Sequence, residues 1–206
     1  MNIFSGVQLG RLSLANRIVM APMTRSRADG NAVPTEIMVD YYAQRASAGL
    51  IVSEGIAPSG NGLGYCRTPG LFTASQVAAW ERVTSEVHAG GGKIVAQLMH
   101  VGRVASYHNK PAGSETVAPS ALRAAGRIYT DQAGMVPFDQ PRALDTAEIA
   151  EVVAEYRRAT ENAFAAGFDG WSCTVPAAIF RHSSFPPAPI GAPMLMAATS
   201  KTAAAS

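Results

Sequence analysis

Short apolar runs alternate along this chain with longer amphipathic stretches. "NRIVMAPM" (16–23) has the pattern of a buried strand, and Pro22 stops it. "PTEIMVDYYAQRASAG" (34–49) reads as a helix, with Pro34 and Thr35 suited to its start and Gly49 to the position after its end. On that helix Ile37, Tyr41 and Gln44 share a side, with Met38 and Tyr42 alongside. "LIVSEG" (50–55) is a second strand. "TASQVAAWERVTSEVHAGGG" (73–92) opens with Thr73 and Gln76 at capping-box spacing and closes on glycines. Its apolar stripe is Val77, Trp80, Val83 or Thr84, and Val87. "KIVAQLMH" (93–100) is a third strand.

Residues 101–144 form a long polar insertion, and a stretch of that length is expected to be functional or locally structured. "DTAEIAEVVAEYRRATENAFAAG" (145–167) is a strong helix, with Asp145 and Glu148 at capping spacing and Gly167 placed to end it. Ile149, Val152, Val153, Tyr156 and Phe164 are expected to face one way, and a fourth strand to start at Phe168. The order strand, helix, strand, helix, strand, helix, strand is the grammar of parallel βα units. It fits a doubly wound sheet or a (βα) barrel. Short strands that each end in a polar or glycine-containing loop point to the barrel, where strand C-termini carry the chemistry. Periodicity alone leaves that choice open.

Composition narrows the function classes. Apolar residues make up 48% of the 206, which suits a packed globular chain. A formal charge of +2 gives no reason to expect nucleic acid or a membrane surface as partner. No apolar run approaches a bilayer span, and the N-terminus lacks a signal-peptide pattern, so the cytoplasm is the expected location. Cys66 and Cys173 make neither a disulfide framework nor a metal-ligand spacing. Composition shifts once: residues 171–206 hold no acidic residue and are rich in Pro, Ala and Ser.

Three strand ends carry polar groups. After the first come Ala21, Pro22, Met23, Thr24 and Arg25; after the second Ser53, Glu54 and Gly55; the third bears Gln97, Met99, His100 and Arg103. Amides, hydroxyls and close backbone without a charge cluster suit a flat, neutral, hydrogen-bonding ligand such as a flavin ring. Plainer duties compete. Gln97 serves equally well as a tie between strands, Thr24 as a turn residue after Pro22, and Tyr65 as a packed loop aromatic. Glu54 reads as a buried partner for an arginine or as a general base, and His100 with Arg103 as a solvent-facing pair. No dinucleotide fingerprint, P-loop, zinc motif or nucleophile elbow occurs in its required setting.

Taken together, "NRIVMAPMTRSRA", "YYAQRASAGLIVSEG", "GYCRTPGLF" and "KIVAQLMHVGR" resemble the N-terminal half of the Old Yellow Enzyme family, from about Ile3 to Gly170. That resemblance implies an α/β fold of the (βα)8 TIM-barrel family, with the first three βα units and the start of the fourth strand. It implies FMN as cofactor, NADPH or NADH as reductant, and an α,β-unsaturated carbonyl or nitro compound as substrate. Ala21, Pro22, Met23 and Thr24 would lie along the flavin, with Thr24 near O4; Gly55 would let the backbone approach the ring; Gln97 would meet its pyrimidine edge; and Tyr65 would stand over the substrate. Met99 stands where many relatives carry Trp.

After "GFDG" (167–170) the family continues with a segment bearing the His and Asn or His pair that grips the substrate oxygen, and a Tyr proton donor. Here the chain reads "WSCTVPAAIF" and onward instead. Codons permitted by residues 171–206, read one nucleotide out of phase, spell VELH, GYL, QFL and an NRRTDAYGG run. The expected organisation is therefore residues 1–170 as part of an FMN-binding barrel and 171–206 as a poorly ordered, frameshift-like tail. His182, in that tail, is not the missing catalytic histidine. An open arc of barrel is expected to self-associate through its edges, and a fragment without catalysis is the alternative to the enzyme.

Overall fold

The computed structural model describes residues 2–174 and 194–197. Of the tail expected to be poorly ordered, 171–206, residues 171–174 and 194–197 are in strands, and 175–193 and 198–206, His182 among them, lie outside the described residues. A hairpin of β1 (Val7–Leu9) and β2 (Leu12–Leu14) comes first, then β3 (Val19–Met20), α1 (Glu36–Ala43), β4 (Leu50–Ile56), α2 (Ala74–Ala89) and β5 (Ile94–Met99). The insertion holds a 3-10 turn (Tyr107–Asn109), β6 (Val117–Ala118), the hairpin β7 (Arg127–Thr130) and β8 (Gly134–Pro137), and β9 (Arg142–Ala143). Then follow α3 (Thr146–Ala165), β10 (Gly170–Thr174) and β11 (Met194–Ala197).

Strand order decides between the two candidate architectures. The main sheet runs β11-β10-β5-β4-β3, and β3, β4, β5 and β10 pair in parallel. These four follow chain order without the reversal that a doubly wound sheet requires, so they form an arc of a (βα) barrel. Antiparallel β11 pairs with β10 from Gly170↔Ala197 to Cys173↔Met194. β10 thus crosses the compositional boundary after residue 170.

Alternation sorts the strand residues into two faces. Ile51, Ile94, Ala96 and Leu98 pack with the helices in the main core, whose largest fully buried members are Trp80, Tyr42 and Met38. Trp80 stands 5.3 Å from Phe168 and 6.0 Å from Tyr42, ring centre to ring centre, and donates its indole N–H to Gly70 O. On the opposite face Leu50, Val52 and Val95 meet Val7, Leu12 and Leu14 of the first hairpin. That hairpin, turning at Gly10 with φ +58°, closes the inner face at the strands' N-terminal ends and leaves the C-terminal ends to the site. Asp169 pins the same end: its carboxylate accepts from Lys93 Nζ and Ile94 N and pairs with His88 Nε2, all within 2.9 Å.

Several elements depart from expectation. β3 pairs over only two residues, because Pro22 has no N–H to donate. α1 ends at Ala43, not near Gly49; glycine at 49 serves a close approach, since a Cβ there would lie 2.0 Å from Asn16 O. Met38, Val39 and Tyr42 form its buried face, while Ile37 is exposed. On α3 the buried residues are Ala159 and Ala163, and Ile149, Val153 and Phe164 face outward. Both capping boxes, Thr73 with Gln76 and Asp145 with Glu148, are formed as the spacing predicts.

Candidate functional site

β3, β4, β5 and β10 bring their C-terminal ends together on the inner face. After β3, Ala21, Pro22, Met23 and Thr24 run exposed in an irregular segment. That segment is tied to β4 by Arg25, whose backbone N–H donates to Glu54 Oε2 at 3.2 Å. From Arg25, Glu54 thus receives a backbone hydrogen bond rather than a guanidinium one. The Arg25 guanidinium lies over the Tyr41 ring, 5.1 Å from its centre, and the Arg45 guanidinium also stacks on that ring, at 3.8 Å. Tyr42 binds Glu54 twice: its hydroxyl accepts from Glu54 N–H at 2.9 Å and donates to the carboxylate at 3.4 Å. Complete burial pushes the Glu54 carboxyl up to about 7.

A bulge in β4 sets what comes next. Val52 pairs with Val95 but Gly55 with Gln97, so Ser53 and Glu54 together face Ala96. Ser53 Oγ accepts from Gln97 N–H at 2.9 Å inside the irregularity. Gly55, Gln97 and Ser172 then form one row across three strands. Gln97 is buried, and the Ser172 hydroxyl is buried with no hydrogen-bond partner among the described residues. Above Gly55 lies the end of Met99: a Cβ at 55 would fall 2.6 Å from Met99 Cε. Any group approaching the Gly55 backbone meets this thioether first, and an unbranched Met can swing aside.

Tyr65 and Met99 both pack against Val101 and Ala105. Burial raises the Tyr65 phenol above its usual value. The structure thus brings Gly55, Gln97, Met99 and Tyr65 to one end of the arc, with Ala21–Thr24 at its border. His100 and Arg103 are not a solvent-facing pair: His100 is only 1% exposed. Its Nδ1 accepts from Gly102 N–H, and burial with the Lys110 charge nearby holds it down to about 4.

Four further residues take part to which sequence reading assigned no functional role. The Tyr156 hydroxyl accepts from His100 N–H at 2.9 Å, tying α3 to the end of β5. Ser172 completes the central row. Lys110 and Asn109 bind the loop that carries Tyr65. Tyr156 carried a signal as an amphipathic helix residue, whereas Lys110 carried none, because its acceptors lie nearly fifty residues upstream. Among the described residues no group of three His, Cys, Asp or Glu side chains could hold a metal ion, and no helix is long and apolar enough to cross a membrane.

Comparison with known proteins places this geometry. A profile of the NADH:flavin oxidoreductase / NADH oxidase family matches residues 2–173. Chanoclavine-I aldehyde reductase fgaOx3 of Penicillium roqueforti (strain FM164) is 44% identical over 174 residues, covering 82% of this chain and 44% of the relative. 12-Oxophytodienoate reductase 7 of Oryza sativa subsp. japonica is 40% identical over 171 residues, covering 82% and 43%. An Old Yellow Enzyme homologue from Zymomonas mobilis superposes with a TM-score of 0.79 at 45% identity, over 84% of this chain and 48% of that one. Morphinone reductase in complex with tetrahydroNAD gives 0.80 at 45% identity, over 87% and 51%. The chain spans about half the length of these relatives.

Proposed function

The chain belongs to the NADH:flavin oxidoreductase / NADH oxidase family, as an Old Yellow Enzyme-like N-terminal portion, and from that membership we propose an FMN-dependent oxidoreductase of activated alkenes. The reductant is NADH or NADPH, the acceptor an α,β-unsaturated carbonyl or nitro compound, and the location the cytoplasm. Bound FMN would take a hydride from the nicotinamide and deliver it to the alkene.

The observation that carries this reading is the row Gly55, Gln97 and Ser172 on the inner face, at the strand ends where a (βα) barrel does its chemistry. The residues fit a flavin. A buried amide and a buried hydroxyl without a partner offer hydrogen bonds to a neutral polar edge. The exposed Pro22 and Met23 offer apolar cover to a ring face, and Thr24 a hydroxyl. Met99 and Tyr65, packed on Val101 and Ala105, would wall the substrate side and limit water there. In this reading residues 1–170 are the barrel portion, and the chain leaves the family pattern soon after, the family match ending at residue 173.

A chain without turnover is the competing reading. It is favoured by Met99 lying over Gly55, and by β11, which pairs antiparallel on β10 where a barrel would continue in parallel. One measurement separates the two. The purified chain is incubated with FMN, desalted, and its visible spectrum followed on adding NADPH or NADH. Retained flavin that bleaches and is reoxidised by an enone supports the enzyme, and a colourless protein refutes flavin binding by this chain. Sequencing the coding region around codon 170 tests a frameshift as the origin of the tail, and an intact frame with unrelated codons would overturn it.

A further inference from the structure

The loop from Gly60 to Tyr65 is held on the insertion mainly by its backbone; its carbonyls are taken up one after another. Lys110 Nζ donates to Asn61 O at 2.6 Å and also to Leu63 O. Between them, Gly62 O accepts from Val101 N–H at 3.1 Å. Gly64 O accepts from Asn109 Nδ2 at 3.0 Å, and the same nitrogen donates to Tyr129 O at 2.9 Å. Asn61 Oδ1 accepts from Glu115 N–H at 2.8 Å. Four consecutive carbonyls therefore meet donors from one segment. The fit is close: a Cβ at Gly64 would lie 2.5 Å from Val101 Cγ2, so the loop lies flat against the wall on which Tyr65 packs.

Neither Lys110 nor Asn109 reaches the inner face through any of these bonds. Both act on a backbone that ends at Tyr65. We infer that Lys110 and Asn109 are positioning residues, a two-residue clamp that fixes the Gly60–Gly64 backbone and so sets where the Tyr65 ring stands. The inference rests on the proposed role of Tyr65 for its functional meaning, but the clamp itself is independent of any cofactor. A cavity of about 290 Å³ bordered by Leu63, Tyr65, Lys110 and Asp131 gives the released loop somewhere to go. Without the ammonium, Asn61 O and Leu63 O lose their donor, and local opening of the loop becomes easier.

The test uses the full chain with Lys110→Met, Lys110→Arg and Asn109→Ala. Two readouts need no flavin: amide hydrogen exchange by peptide, and nitration of Tyr65 by tetranitromethane at neutral pH. The clamp predicts about tenfold faster exchange across residues 61–65 and faster Tyr65 nitration in Lys110→Met. Exchange in Leu50–Ile56 stays unchanged, and Lys110→Arg behaves like the parent. Asn109→Ala shifts the same readouts in the same direction by a smaller factor, and stands in should Lys110→Met fail to fold. Unchanged loop exchange and nitration in the folded variants overturn the clamp, as does a rise spread evenly over the strands. If the parent chain also retains FMN and turns over an enone, the clamp variants raise KM for the enone more than they lower kcat. A parent chain that retains no FMN refutes the proposed function while leaving the exchange result to judge the clamp.

Discussion

Glu54 and His100 are both buried at strand ends, and their protonation shifts run in opposite senses. The Glu54 carboxyl is pushed up to about 7 from an ordinary 4.5, so between those values the folded chain keeps a proton that the unfolded chain has lost. Stability from this group is present below about pH 4.5 and is lost as pH rises through 7. The His100 imidazole is held down to about 4 from an ordinary 6.5, so its contribution is present above 6.5 and is lost as pH falls through 4. Each is worth about 3 kcal/mol, and they offset where the windows overlap. Glu54→Gln should therefore expose a stability that climbs with pH across the overlap, and His100→Gln one that declines. Urea midpoints of both variants against the parent, taken through the mildly acid range, check this; parallel curves for all three proteins would discard it. The burial of Glu54 was legible in the sequence, that of His100 was not. His100 sits beside Arg103 and reads as a surface pair, and its burial comes from Tyr156 and Gly62, which the fold supplies from far along the chain.

At the level of elements the sequence was most readable where a local rule fixes local geometry. Thr73 and Gln76 stand at capping distance and form the box that starts α2. Thr73→Ala should lower stability by about 1 kcal/mol, seen as a reduced thermal midpoint with unchanged far-ultraviolet ellipticity. The seam between α2 and α3 depends on Thr84, whose buried hydroxyl donates to Ala166 O at 2.6 Å. Thr84→Val keeps the shape, orphans that carbonyl, and should cost about 1–3 kcal/mol in chemical denaturation. Helix faces were harder to read. Ile149, Val153 and Phe164 have the right period to share a side, but the side that α3 buries is set by Ala159 and Ala163 against its neighbours, where small residues allow close approach. The β1–β2 hairpin escaped notice because its three-residue strands carry too little pattern. The insertion was expected to hold local structure, and it does, yet its clamp on the Tyr65 loop spans a separation that no spacing rule reaches.

Across the whole molecule, apolar surface collects at the two ends of the arc. α3 presents Ile149, Val153 and Phe164, 52%, 63% and 38% exposed, and the start of β3 presents Val19 with Ile18 just before it, 52% and 41% exposed. Exposed patches of this kind favour association. Val153→Glu combined with Phe164→Ser should shift the sedimentation-velocity distribution toward monomer. A parent chain that sediments as a monomer at every concentration would remove the premise. Parallel βα units were legible from the strand-helix alternation; the barrel was implied by the family resemblance, and the strand order excludes the doubly wound sheet. The two-residue length of β3 bears on what can join it there. So short a border offers a newcomer only a few main-chain contacts, too few to dictate alignment. A neighbouring strand added at this margin would slide among several offsets of similar energy unless the bulk of Ile18 and Val19 selected one, so fidelity of assembly at that end is a matter of side-chain fit, not of backbone pairing.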